Sequence, residues 1–120
     1  MKPHIDKTGF GLITINGKKI KHDVLIRLDG TVSKRNKKLS KELYGTSHVL
    51  SLAEAEYNYE PGAEKMIFGT GQFGQANLSK EAEAFFMSKK CEVDLSPTPE
   101  AIKRWNKAQG AVIGLFHITC

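Results

Sequence analysis

At 120 residues, 40% hydrophobic and 26% charged, the sequence has the length and composition of one globular domain, which excludes a disordered chain and one that needs disulfides or metals to fold. The formal charge of +5 comes mainly from lysine, with only Arg27, Arg35 and Arg104 to supply the planar fork that reads bases, so the excess charge argues for solubility before recognition. The longest apolar run, Ala111 to Phe116, is far short of the ~20 residues of a membrane span, and Met1 to Asp6 carry no signal-peptide core. These features point to the cytosol, where Cys91 and Cys120, without a CxxC spacing, are simply free thiols.

Residues 10–21 predict a tight hairpin, because Asn16-Gly17 divides two short apolar segments and tolerates the positive φ angles of a type I′ turn. Val24, Ile26 and Leu28 then alternate onto one face before Asp29-Gly30 and Thr31-Val32, which extends an antiparallel N-terminal sheet or meander. Residues 34–41 hold five cations in eight positions without periodicity and read as a solvated loop.

Ser51 to Glu54 fit a capping box in which Glu54 reaches back to the helix start. Leu52, Ala55 and Tyr59 share a face of that helix, and Pro61-Gly62 stops it. A strand at Lys65 to Phe68 runs into Gly69-Thr70-Gly71-Gln72-Phe73-Gly74, and Ser79 caps the next helix, whose apolar face holds Leu78, Ala82, Phe85 and Phe86.

A second short strand spans Cys91 to Leu95. Thr98 caps a last helix with Pro99 at its first turn and Ala101, Ile102, Trp105 and Ala108 as its buried stripe. Ala111 to Phe116 lack polar alternation and suit a strand covered on both faces. Helices alternating with apolar strands give a βαβαβ portion with parallel pairing, so the expected fold is a single three-layer α/β domain over residues 1–120, with N-terminal hairpins.

The glycine loop matches GxGxxG, and Asp94 lies where a ribose-binding acid would be sought, but Ser79 sets the helix start five residues past Gly74. The helix amides are thus withdrawn from any pyrophosphate, and the chain is too short for two nucleotide-binding halves. What survives is Gly69 and Gly71 serving backbone geometry at a strand end, where exposed amides with Thr98 could hold a small anion.

His4, His22, His48 and His117 have no metal-ligand spacing, and no cofactor or metal is expected. His48 follows a Gly-Thr turn and either serves as a loop acid–base group or bonds its own loop; His117 reads as a satisfied histidine at the core edge. Cys120, beside a terminal carboxylate, is disfavoured as a thiolate and points away from His117 in an extended strand.

The ending Phe116-His117-Ile118-Thr119-Cys120, taken with Gly45-Thr46-Ser47-His48, the strand ending in Gly69 and Gly71, Thr98, and Trp105-Asn106, resembles the small Mth-type domain family over nearly the whole chain. The resemblance implies a three-layer α/β fold with a mixed central sheet and no particular reaction, and better-known members are described as assembly or regulatory factors. The first expectation is therefore a non-enzymatic protein-binding, assembly or regulatory factor. The second is an anion or small-molecule site, possibly enzymatic, built from His48, Gly69, Thr70, Gly71, Thr98, Asn106 and His117. Nucleic-acid binding through Lys34 to Lys41 ranks third, since charge alone supplies no specificity.

Overall fold

The computed structural model describes residues 2–120. In chain order the elements are β1 (Ile5–Gly9), β2 (Leu12–Ile15), β3 (Lys18–Ile20), β4 (Val24–Ile26), β5 (Val32–Lys34), α1 (Lys38–Tyr44), β6 (Val49–Leu50), α2 (Leu52–Asn58), β7 (Lys65–Thr70), β8 (Asn77–Leu78), α3 (Lys80–Ser88), β9 (Glu92–Ser96), α4 (Thr98–Lys107) and β10 (Val112–His117). The first three strands form one antiparallel sheet, and β6 pairs with β8 in a short parallel ribbon. A five-stranded sheet of order β5-β4-β10-β7-β9 makes the centre.

The expected turn at Asn16-Gly17 forms with φ of 48° and 79°, the left-handed pair that a two-residue hairpin requires. Before it lies β1, whose polar Asp6, Lys7 and Thr8 give no strand signal; pairing with β2 orders it. The expected meander, by contrast, divides: β4 leaves the N-terminal sheet and pairs antiparallel with β10 in the central one.

Parallel pairs β7–β9 and β7–β10, joined through α3 and α4, form the expected βαβαβ portion and make the sheet mixed. Successive crossovers run in opposite directions along the sheet, so right-handedness sends the two helices to opposite faces. On one face Val24, Ile26, Ile67 and Phe116 pack with Ala101, Ile102 and Trp105 of α4 and with Ile5, Ile13 and Ile15 of the small sheet. On the other, Leu25, Met66, Phe68, Ile113 and Leu115 pack with Ala55, Ala82 and Phe86 from α2 and α3.

All six residues of β10 are buried, as a strand covered on both faces must be. Each large side chain fully withdrawn from water here contributes about 1.5–3 kcal/mol. Trp105 meets Phe116 edge to face at 5.8 Å, in space left by Gly114, where a Cβ would lie 2.6 Å from the Phe116 ring and 2.9 Å from Trp105.

Three local expectations need correction. Residues 34–41 are no solvated loop: Arg35 is buried, and α1 begins at Lys38. In α2, Ser51 caps as expected by accepting from the Glu54 amide, but the Glu54 side chain turns to Arg35 instead of reaching back. Leu52 is exposed while Glu54, Ala55 and Asn58 are buried. Thr98 does not cap α4; Pro97 holds that position, and the threonine hydroxyl is used elsewhere.

Candidate functional site

The register of the central sheet builds a polar row out of residues distant in sequence. Phe116 on β10 pairs with Val24 on β4, so the next position sets His117 opposite Asp23; Arg35 lies across from Asp23 in turn, donating its amide to the Asp23 carbonyl at 3.0 Å. On its other side His117 pairs with Thr70 of β7. Alternation puts Asp23 in phase with Leu25, and His117 in phase with Leu115, on the face that packs against α2 and α3.

Their side chains close on one another. His117 Nδ1 lies 2.7 Å from Asp23 Oδ2, Arg35 Nη1 donates to the same oxygen at 3.0 Å, and the Ile118 amide donates to Oδ1 at 3.0 Å. Arg35 Nε and Nη2 grip the Glu54 carboxylate at 2.6 and 3.0 Å, and Ser40 Oγ donates to it at 2.5 Å. Asp23, Arg35, Glu54 and His117 are all buried.

Burial pushes the Asp23 carboxyl up, but the hydrogen bond and charge of His117, the Ile118 amide and Arg35 outweigh it and hold the group at about 2. Burial would lower Arg35, yet Glu54 and Asp23 carry its guanidinium above its ordinary value. An ionised Asp23 fixes Nδ1 of His117 as the donor, which leaves Nε2 facing Thr119 Oγ1 at 3.2 Å. An array of buried charges is tolerated because nearly every lone pair and proton in it has a partner.

Beside this row the glycine loop is closed by the chain itself. The Gly71 amide donates to Thr98 Oγ1 at 2.9 Å, and that hydroxyl donates to the His117 carbonyl at 2.5 Å. Gln72 N donates to the Thr119 carbonyl at 2.7 Å, while Phe73 N and Gln75 N donate to the Cys120 carbonyl at 3.0 and 3.2 Å. Gly71 has φ of +107°, and a Cβ there would lie 2.3 Å from the Cys120 backbone; Gly69 is needed for space instead, since its Cβ would stand 2.9 Å from Thr98 Oγ1.

Of the residues expected at a site, Gly69, Thr70, Gly71, Thr98 and His117 therefore come together, and the His48 ring meets His117 edge-on at 5.4 Å. Asn106 does not join them. It clamps β1 to α4 by accepting from the Ile5 amide at 3.0 Å and donating to the Ile5 carbonyl at 2.8 Å.

Sequence reasoning missed Asp23, Arg35, Glu54 and Ser40. The available signals were Asp23 in phase with Leu25, and a single arginine inside a lysine run, arginine being the cation suited to a buried bidentate carboxylate. Among the described residues no three His, Cys, Asp or Glu side chains converge as metal ligands would, and no helix is long and apolar enough to cross a membrane.

At the rim of the loop stand Phe10, 64% exposed, and Phe73, 72% exposed, with ring centroids 6.3 Å apart. The loops that carry them are tied down: Phe73 N donates to the Cys120 carbonyl at 3.0 Å, Gly11 N donates to the Ile118 carbonyl at 2.8 Å, and Gln72 Nε2 donates to Thr8 Oγ1 at 3.0 Å. Elsewhere two open grooves share Lys34. One, of about 600 Å³, runs between β3 and β5, and the other, of about 550 Å³, lies over residues 34–41 and Tyr57.

The α/β fold is shared with solved small proteins. A conserved hypothetical protein, PH1505 from Pyrococcus horikoshii OT3, is 32% identical with a TM-score of 0.88 and full coverage of both chains. A protein titled MT938 is 32% identical with a TM-score of 0.82, covering 99% of this chain and 100% of its own. A Bordetella pertussis protein described as a Mth938-like domain shares the fold at 15% identity and a TM-score of 0.70, over 96% of this chain and 85% of its own.

Residues 5–115 match the model of a family described as protein of unknown function (DUF498/DUF598), and the chain belongs to that family, the Mth-type domain family. No curated protein matches the chain.

Proposed function

We propose that the protein is a non-enzymatic binding domain that meets another protein through the rim formed by Phe10 and Phe73, in an assembly or regulatory role in the cytosol. The observation that carries this reading is the pair itself: two phenylalanines side by side in water on loops tied down by hydrogen bonds of Phe73, Gly11 and Gln72. Exposed aromatic clusters of this kind mark interaction surfaces, and rigid aromatic anchors supply most of the energy in interfaces. The buried polar groups support the same reading, because Asp23, Arg35, Thr98 and His117 are engaged within the chain.

The test is crosslinked capture with wild-type protein and the Phe10→Ala/Phe73→Ala double variant, both verified as folded. Partners held by the wild type and lost by the variant support the reading; identical captures contradict it.

A second reading, a small-molecule or anion site near Gly69 to Gly71, is favoured by one arrangement: Asp23, His117 and Thr119 stand in hydrogen-bonding series next to the His48 ring. Against it, the amides of Gly71, Gln72, Phe73 and Gln75 already have partners. A ligand at a hundredfold its Kd stabilises by about 2.7 kcal/mol, so a panel of phosphate- and carboxylate-bearing metabolites that leaves Tm unmoved removes this reading.

A further inference from the structure

The whole positive excess of the chain lies in one stretch. Residues 17–41 hold nine lysines and arginines against two acids, whereas the rest holds nine against eleven. Both of those acids have commitments, Asp23 being buried beneath Arg35 and Asp29 accepting from the Thr31 amide at 2.9 Å. Of the seven lysines lining the two grooves, Lys37 alone among the described residues reaches a carboxylate. That carboxylate is Asp23, 4.0 Å away and already held by Arg35 and His117.

The larger groove is bounded by two edge strands, β3 of the small sheet and β5 of the central one. Along β5, Arg27 donates to the Thr31 carbonyl and Arg35 to the Asp23 carbonyl, so alternation in an antiparallel ladder turns the amides and carbonyls of Val32 and Lys34 outward. In the β2–β3 hairpin, closed at Ile15 and Lys18, the same alternation turns those of Lys19 outward. The lining also includes Ile15, Ile20 and Val32, the last two half-buried, so an apolar floor lies between cationic walls.

We infer that this groove takes an extended acidic segment of a partner protein, added as a strand along β5 with its apolar side chains on Ile20 and Val32 and its carboxylates among Lys18, Lys19, Lys21 and Lys34. Main-chain pairing supplies the affinity in such strand addition, and alternate side chains supply the selectivity. Lysine on an edge repels a second basic edge, so two copies of this chain do not pair edge to edge through β5, and an acidic strand is the complement. The apolar floor favours peptide over nucleic acid, and the lining contains no exposed arginine to read bases. None of these lining residues belongs to the Phe10–Phe73 rim, so the inference stands or falls independently of it.

The test uses the full chain and a short fluorescent peptide alternating glutamate and valine, compared with a version carrying proline in place of alternate valines and with a single-stranded oligonucleotide of equal charge. The expected result is saturable binding of the first peptide, weakened by at least about tenfold in the exposed-site variant Lys19→Glu/Lys34→Glu and by proline, which removes the pairing amide. Slowed hydrogen exchange at the Val32 and Lys34 amides is expected in the complex. Equal binding of the proline peptide, unchanged exchange, tighter binding of the oligonucleotide, or no binding would each overturn the inference.

Discussion

At the scale of single residues, the most consequential contact is that of Asp23 with Arg35 and His117, since it ties three strands by charge where the sheet is otherwise apolar. Removing one partner of a buried pair strands the other, at a cost of about 3–5 kcal/mol. Asp23→Ala should therefore lower the unfolding free energy in urea by that amount. Its pH dependence has a definite sign. The folded carboxyl titrates at about 2, below its ordinary 3.8, so its contribution is fully present above about pH 4 and is lost as pH falls toward 2. The depression is equivalent to roughly 2 kcal/mol. Asp23→Asn should flatten the acid limb of a stability–pH curve between those values, and an unchanged limb would contradict the assignment.

Between elements, the hydroxyl of Thr98 is the pin that joins the start of α4 to both the glycine loop and β10. Thr98→Val keeps the shape but leaves the Gly71 amide without its acceptor, so a loss of about 1–3 kcal/mol is expected, whereas Thr98→Ser retains both bonds and should lose much less. Equal losses in the two variants would show that the methyl group matters as much as the hydroxyl and would contradict the role of the hydroxyl as the pin.

The elements also show what a sequence discloses. Asn16-Gly17, the Ser51 and Ser79 caps and the uninterrupted apolar run of β10 were legible because each signal is local and leaves its mark within a few residues. Arg35, Thr98 and Asn106 were misjudged for the opposite reason. Their partners lie 12 to 101 positions away, through a register that composition does not encode. An arginine inside a lysine run, or a threonine before a proline, carries no local sign that its side chain is turned inward.

For the molecule as a whole, the proposed function divides the work between the polar interior and the surface. Inside, Asp23, Arg35, Thr98 and His117 hydrogen-bond strands, loop and α4 to one another. Outside, the chain presents an aromatic rim and one strongly cationic side. The candidate site was legible as a cluster, since the glycines, Thr98 and His117 do meet, but its acidic member was not, because Asp23 is set opposite His117 only by the pairing of β4 with β10.

The division is tested most directly by a crossed comparison of two variants, each measured for urea stability and for the set of proteins it captures under conditions where it is folded. His117→Gln should lose stability and keep the wild-type partners; Phe10→Ala/Phe73→Ala should keep stability and lose them. A His117→Gln protein that is fully stable yet captures nothing, or a double variant that captures everything the wild type does, would contradict the account.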